Sequence, residues 1–136
     1  MSKIAVVFWS GTGNTEAMAK AVAEGAGVEA VSVSDFKDDV SGYGALALGC
    51  PAMGDEELED SEFGPFFDGI EGSISGKKIA LFGSYDWGDG QWMRTWADRV
   101  KAAGAELVDG EGLIANLEPS EDILAKCRDL GKKLAE

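Results

Sequence analysis

The sequence predicts an α/β fold: a doubly wound, five-stranded parallel sheet with helices on both faces. Three observations carry that expectation. Apolar runs of strand length recur at residues 4–9, 31–33, 45–49, 79–83 and 113–115. The segments between them show helical spacing of their apolar residues, and such alternation requires crossovers over a parallel sheet covered on both sides. Third, a turn rich in glycine and hydroxyl groups, residues 10–15, stands between the first run and the first helical segment. Right-handed crossovers then place a ligand at the carboxyl ends of the strands, where the winding direction switches. At 136 residues and 45% hydrophobic content the chain reads as one domain, 1–136, long enough to bury an ordinary core. It shows no repeat, low-complexity stretch or linker.

The first, third and fourth runs are continuously apolar, as strands buried on both faces should be. The second, Val31-Ser32-Val33-Ser34, alternates and is expected at an edge. About four helices are expected. Phe63, Phe66, Phe67 and Ile70 recur at i, i+3, i+4 and i+7 after Ser61, the predicted cap, with Pro65 still in the first turn. Trp92, Trp96 and Val100 form a second stripe ending at Gly104. Ile123, Cys127, Leu130 and Leu134 form another, beginning at Ser120.

Twelve basic residues against 25 acidic ones give a net charge of −13. That repels nucleic acid and anionic membranes and favours electropositive protein partners. No apolar run approaches a membrane span and no signal-peptide pattern opens the chain, so a cytoplasmic protein is expected. There is no histidine, and Cys50 and Cys127 lie far apart without a CxxC spacing. Zinc ligation and histidine acid–base chemistry therefore have little material, and both cysteines read as small buried side chains in a reducing compartment.

Ser10-Gly11-Thr12-Gly13-Asn14-Thr15 has the grammar of a phosphate cradle. Gly11 and Gly13 allow a sharp turn that exposes backbone N–H groups, and Ser10, Thr12, Asn14 and Thr15 add side-chain donors. A nucleotidase P-loop would need Gly-Lys-Ser/Thr, and a dinucleotide fingerprint a third glycine where Glu16 stands. A terminal phosphomonoester held by neutral donors and a helix N-terminus suits the residues; a turn that merely caps a helix is the plainer alternative. The loops after the third and fourth strands should border the same crevice. They read Cys50-Pro51-Ala52-Met53-Gly54-Asp55-Glu56-Glu57 and Ser84-Tyr85-Asp86-Trp87-Gly88-Asp89-Gly90. Met53 on one face and Trp87 on the other would sandwich a flat aromatic ligand, and Glu56 could accept from a ring imide N–H. A gap-filling methionine and a solvated carboxylate are the bland alternatives, while Trp92 and Trp96 read as packing residues.

These three motifs, in this order, resemble those of the short-chain flavodoxins, and the likeness covers nearly the whole length. The resemblance implies strand order 2-1-3-4-5, flavodoxins being themselves the type example of that order with FMN at the switch point. It implies that Ser10, Thr12, Asn14 and Thr15 hold the FMN phosphate, that Met53 and Trp87 flank the isoalloxazine, and that Glu56 meets N3–H. Gly11, Gly13, Ala52, Asp55, Ser84, Tyr85 and Gly88 complete the expected cofactor-binding set. It departs from the pattern at Asp86, where close relatives often have glycine, at Pro51, where some have a hydroxyl, and between residues 20 and 31, which are about a turn shorter.

Met53-Gly54-Asp55-Glu56 has the length of a β-turn, with Gly54 free to take positive φ. The resemblance implies that on one-electron reduction the Gly54 carbonyl swings to accept a hydrogen bond from flavin N5. That bond is worth roughly 1 kcal/mol, or some tens of millivolts on the first step. The second electron makes the flavin anionic and is resisted by the acidic protein. The expected function is therefore a low-potential one-electron carrier using non-covalent FMN, shuttling mainly between semiquinone and hydroquinone without substrate turnover of its own. Six acids, Asp55, Glu56, Glu57, Glu59, Asp60 and Glu62, could steer electropositive redox proteins, ferredoxin-like exchange partners, to the flavin edge of a monomer; a solvated charged face reads equally well. The alternative is an FMN-dependent quinone reductase-type enzyme, for which the chain lacks a histidine and an insertion to build a second wall. A receiver domain would need acids where Trp9-Ser10 and Gly49-Cys50 stand, and a phosphatase would need a nucleophile in the cradle.

Overall fold

The computed structural model describes residues 3–11, 13–53, 57–86 and 88–136. Its strands are β1 (Ile4–Phe8), β2 (Ala30–Ser32), β3 (Ala45–Gly49), β4 (Lys78–Tyr85), β5 (Glu106–Leu107) and β6 (Leu113–Asn116). Its helices are α1 (Asn14–Ala26), α2 (Phe63–Ile70), α3 (Gln91–Ala102) and α4 (Glu121–Ala135). The strands pair in parallel in the order β2-β1-β3-β4-β5, which is the flavodoxin-like order. β2, the alternating strand, lies at the edge and is half-buried along its length, whereas every residue of β3 is buried.

Alternate strand residues feed two apolar layers. On one face Val7, Leu46, Leu48, Ile79 and Leu81 meet Phe63 and Phe67 of α2 and Trp92, Trp96 and Val100 of α3. On the other, Val6, Ala47, Ala80 and Phe82 meet Met18 and Val22 of α1 and Cys127, Leu130 and Leu134 of α4. The expected helix stripes are thus the buried faces, with Ile123 and Phe66 only partly covered. α1 and α4 approach so closely that Cβ atoms built on Gly25 and Gly131 would lie 1.9 Å from the Arg128 carbonyl oxygen and 2.0 Å from that of Val22.

Two local expectations are corrected. The fifth strand is in two pieces: β5 pairs with Lys78 and Ile79 at the start of β4, and β6 pairs with Phe82 to Tyr85 at its end. Between them Val108–Gly110 forms a 3-10 turn with Asp109 at φ 64°, and the extra residues bulge away from the ladder. Secondly, Ser61 does not cap α2. The buried carboxylate of Glu59 takes that place, accepting the backbone N–H groups of Ser61, Glu62 and Phe63 at 2.8 Å each and the Ser61 hydroxyl. At α4 the expected cap is present, Ser120 Oγ accepting from the Ile123 N–H at 3.3 Å.

Candidate functional site

The loops after β1, β3 and β4 leave the sheet at its carboxyl end, and the first two stay hydrogen-bonded to the neighbouring strands there. Trp9 N–H donates to the Gly49 carbonyl at 3.0 Å, Cys50 N–H to Phe82 at 3.1 Å and Ala52 N–H to Ser84 at 3.0 Å. Thr15, 1% exposed, and Ser84, 5% exposed, join α1 to β4 by a hydroxyl–hydroxyl bond of 2.9 Å. Ser84 N–H also donates to Thr15 Oγ1 at 3.3 Å. Two hydroxyls sharing one bond leave one O–H free to donate elsewhere.

Gly13, the N-cap of α1, has a φ of 99° in the left-handed region that glycine adopts without strain and offers no side chain of its own to cap the helix. Ser10 Oγ lies beneath this turn and accepts the N–H groups of Gly13 at 3.1 Å and Glu16 at 3.2 Å, keeping its own proton for another acceptor. Asn14 opens the helix and Gly11 is exposed beside it. Lys20 of α1 is 71% exposed and leans on Glu16 at 3.6 Å. A helix N-terminus that also offers a serine hydroxyl is suited to an anion with several oxygens. Thr12 lies outside the described residues.

After β3, Pro51 and Ala52 are half-buried and Met53 is 37% exposed. Met53 and Glu57 exchange two backbone hydrogen bonds of 2.9 Å. The chain thus closes one residue beyond the four-residue turn suggested by its sequence. Gly54, Asp55, Glu56 and Trp87, expected to shape the flavin site, lie outside the described residues. At the end of β4 Tyr85 is half-buried, 5.6 Å from the Trp92 ring, and in the loop beyond it Gly88 is exposed. Trp92 is itself buried in the core, its indole N–H donating to the Cys50 carbonyl at 3.1 Å.

Two residues stand out only in three dimensions. Asn116, at the end of β6, donates from its amide to the carbonyls of Tyr85 and Asp86 at 3.2 and 3.3 Å and so holds the loop that carries Trp87. Nothing in the sequence but a lone amide at a strand end signals it. Glu59 reads as one of a run of surface acids, yet it is 4% exposed. Burial alone would raise its carboxyl, but the hydrogen bonds from Ser61, Phe63 and Glu62 outweigh that and hold it below the usual value. Of the other acids in the run, Glu57, Asp60 and Glu62 are exposed, Glu62 taking a bond from Trp9 Nε1 at 3.3 Å. Cys50 and Cys127 are buried free thiols, and burial pushes each up to about 12. Among the described residues no acid, cysteine and histidine cluster could hold a metal ion, and no helix is long and apolar enough to cross a membrane.

A doubly wound parallel sheet of this strand order, with a glycine and serine turn opening α1 and the loops after β3 and β4 leaving at the same end, defines a flavodoxin-like α/β protein. The flavodoxin family model matches residues 6–131. The chain is 48% identical to a flavodoxin of Clostridium beijerinckii, over 96% of this chain and 97% of that one, and 44% identical to one of Megasphaera elsdenii, over 98% of each. Its fold superposes on the two-electron reduced Megasphaera elsdenii flavodoxin with a TM-score of 0.83 at 43% identity, covering 97% of this chain and 98% of that chain. It matches oxidised Flavodoxin 1 of Bacillus cereus with a TM-score of 0.84 at 30% identity, covering 98% and 97%. The chain belongs to the flavodoxin family, electron carriers that bind FMN non-covalently.

Proposed function

We propose that this flavodoxin holds FMN across the carboxyl ends of β1, β3 and β4 and carries single electrons on the lower of its two one-electron couples, between the half-reduced and fully reduced flavin. FMN, when bound, supplies the one-electron chemistry; the chain anchors the phosphate, clamps the ring and biases the potentials. The observation that carries the reading is the start of α1. The N-cap is a positive-φ glycine, and Ser10 Oγ, which caps the helix by accepting the Gly13 and Glu16 N–H groups, keeps its own proton for another acceptor. That donor set fits a phosphomonoester and uses no cation. Ser10, Thr12, Asn14 and Thr15 are the phosphate donors in this reading, and Ser84 orients Thr15. Met53 and Trp87 flank the ring, Glu56 accepts from its imide N–H, and Gly11, Gly13, Ala52, Asp55, Tyr85 and Gly88 complete the site.

Gly54 is proposed to present its carbonyl to flavin N5 in the reduced forms, within the turn that Met53 and Glu57 close. A side chain there would oppose the required left-handed conformation by about 1 to 2 kcal/mol. Gly54→Thr is therefore expected to lower the first midpoint potential by about 40 to 90 mV, read by spectroelectrochemistry of the FMN-loaded protein. An unchanged potential would remove Gly54 from this role. Steady turnover of a quinone with NADH by the protein alone would instead make it an enzyme.

The net charge of −13, together with exposed Glu57, Asp60 and Glu62 beside the Met53 limb, supports docking of electropositive redox proteins at the flavin edge. Their reduction rates are expected to fall at least tenfold from low salt to about 0.5 M, as opposite charges lose their mutual field. Rates indifferent to salt would argue against acidic steering. The reading extends to a monomer in a reducing, cytoplasmic compartment, supported by the two buried free thiols.

A further inference from the structure

We infer that Glu59 is a positioning residue for electron transfer: its buried carboxylate anchors the downstream limb of the hairpin closed by Met53 and Glu57, and so sets the potential at which the first electron is accepted. The inference rests on the reading that this hairpin faces flavin N5.

The two limbs of the hairpin are held in different ways. The upstream limb is stitched to the sheet through Cys50 N–H on Phe82 and Ala52 N–H on Ser84, at 3.1 and 3.0 Å. The downstream limb leaves the pairing at Glu57 and reaches Glu59 two residues later. There the chain is gripped at three places on one residue. Glu59 N–H donates to Cys50 Sγ at 3.3 Å, its carbonyl accepts from Gly64 N–H at 2.7 Å, and its carboxylate gathers the N–H groups of Ser61, Glu62 and Phe63 with the Ser61 hydroxyl. Cys50 thus connects the limbs directly, accepting from Glu59 while its carbonyl accepts from Trp92. A carboxylate buried to 4% exposure is retained against its desolvation only where hydrogen bonds offset the cost. Here all the identified donors come from the five-residue segment that Glu59 itself begins, and the product is a stiff corner immediately behind the turn.

A turn that exchanges one backbone hydrogen bond between oxidation states transmits that bond's free energy only if its ends do not yield. A loosened downstream limb lets the Glu57 strand drift from Met53, and the reduced-state bond weakens. Position and charge are separable by sign. Removing a negative charge eases the step that adds net negative charge, the second, and leaves the first, where a proton accompanies the electron, nearly unchanged. Loss of anchorage lowers the first.

The test is Glu59→Gln in the FMN-loaded protein, with both midpoint potentials and the amide exchange of residues 57–63 measured. The first midpoint is expected to fall by the equivalent of about two- to fivefold in its equilibrium constant, or about 20 to 40 mV, while Glu57 N–H exchanges faster. Ser61→Ala, which removes a single donor, should move the first midpoint in the same direction by less, and it decides the matter if Glu59→Gln does not fold. A first midpoint unchanged in these variants, with faster exchange at 61–63 alone, would reduce Glu59 to a local helix cap and overturn the inference. Gly54→Thr run alongside separates the two levels. If it shifts the first midpoint and the Glu59 and Ser61 variants do not, the positioning role falls alone; if it too shifts nothing, the placement of the hairpin at N5 is what fails.

Discussion

Gly131→Ala is expected to destabilise the protein by about 3 kcal/mol, measured as the loss of urea-unfolding free energy at constant m-value. The added Cβ would sit 2.0 Å from the Val22 carbonyl oxygen and 2.8 Å from the Ala26 amide nitrogen, both backbone atoms of α1. Backbone cannot swing aside as a side chain can, so α1 and α4 would have to part, opening the layer formed by Met18, Val22, Leu130 and Leu134. Gly25 makes the reciprocal contact, 1.9 Å from the Arg128 carbonyl oxygen, and Gly25→Ala is expected to cost as much. The same substitution at Gly69, inside α2 where the new methyl meets nothing within 4 Å beyond its chain neighbours and its own helix backbone, should stabilise by about 0.5 to 1 kcal/mol through backbone entropy alone. If Gly131→Ala and Gly69→Ala behaved alike, the helices would not be in backbone contact.

Glu59→Ala should cost about 2 to 3 kcal/mol at neutral pH, because the Phe63 N–H is left without an acceptor in the core while those of exposed Ser61 and Glu62 turn to water. The cost should depend on pH. The folded-state carboxyl lies below its ordinary 4.5, so the protonated unfolded chain holds its proton more tightly than the folded one. The stabilisation is complete above the ordinary value and is lost as pH falls through the lowered folded one. Unfolding curves of the parent and Glu59→Ala should therefore run a constant distance apart at neutral pH and converge below pH 4.5. A gap independent of pH would mean that the side chain acts by packing rather than as a hydrogen-bonded anion.

The turn that opens α1 was legible because its geometry is local. Ser10, Gly13 and Asn14 lie within five residues of each other, and the turn they make follows from their own φ preferences and donors. The helix stripes were legible for the same reason, since spacing along a helix dictates its buried face. Other features depended on partners far along the chain. Thr15 meets Ser84 across 69 residues, and Asn116 meets Tyr85 across 31. Ser61 looked like the cap of α2 because hydroxyls usually fill that position, yet Glu59, two residues upstream, reached the same amides and its charge bound them more strongly.

By itself the sequence determined the alternation of strands and helices, the edge placement of β2, the buried helix stripes and the family. Each is carried by residues that act on their immediate neighbours. Tertiary structure alone decided which carboxylate in an acidic run turned inward, where the fifth strand broke against β4, and why Gly25 and Gly131 must lack side chains. Those outcomes are set by surfaces that meet only after the chain has closed on itself, where an extra methyl or a second hydrogen bond changes which neighbour wins.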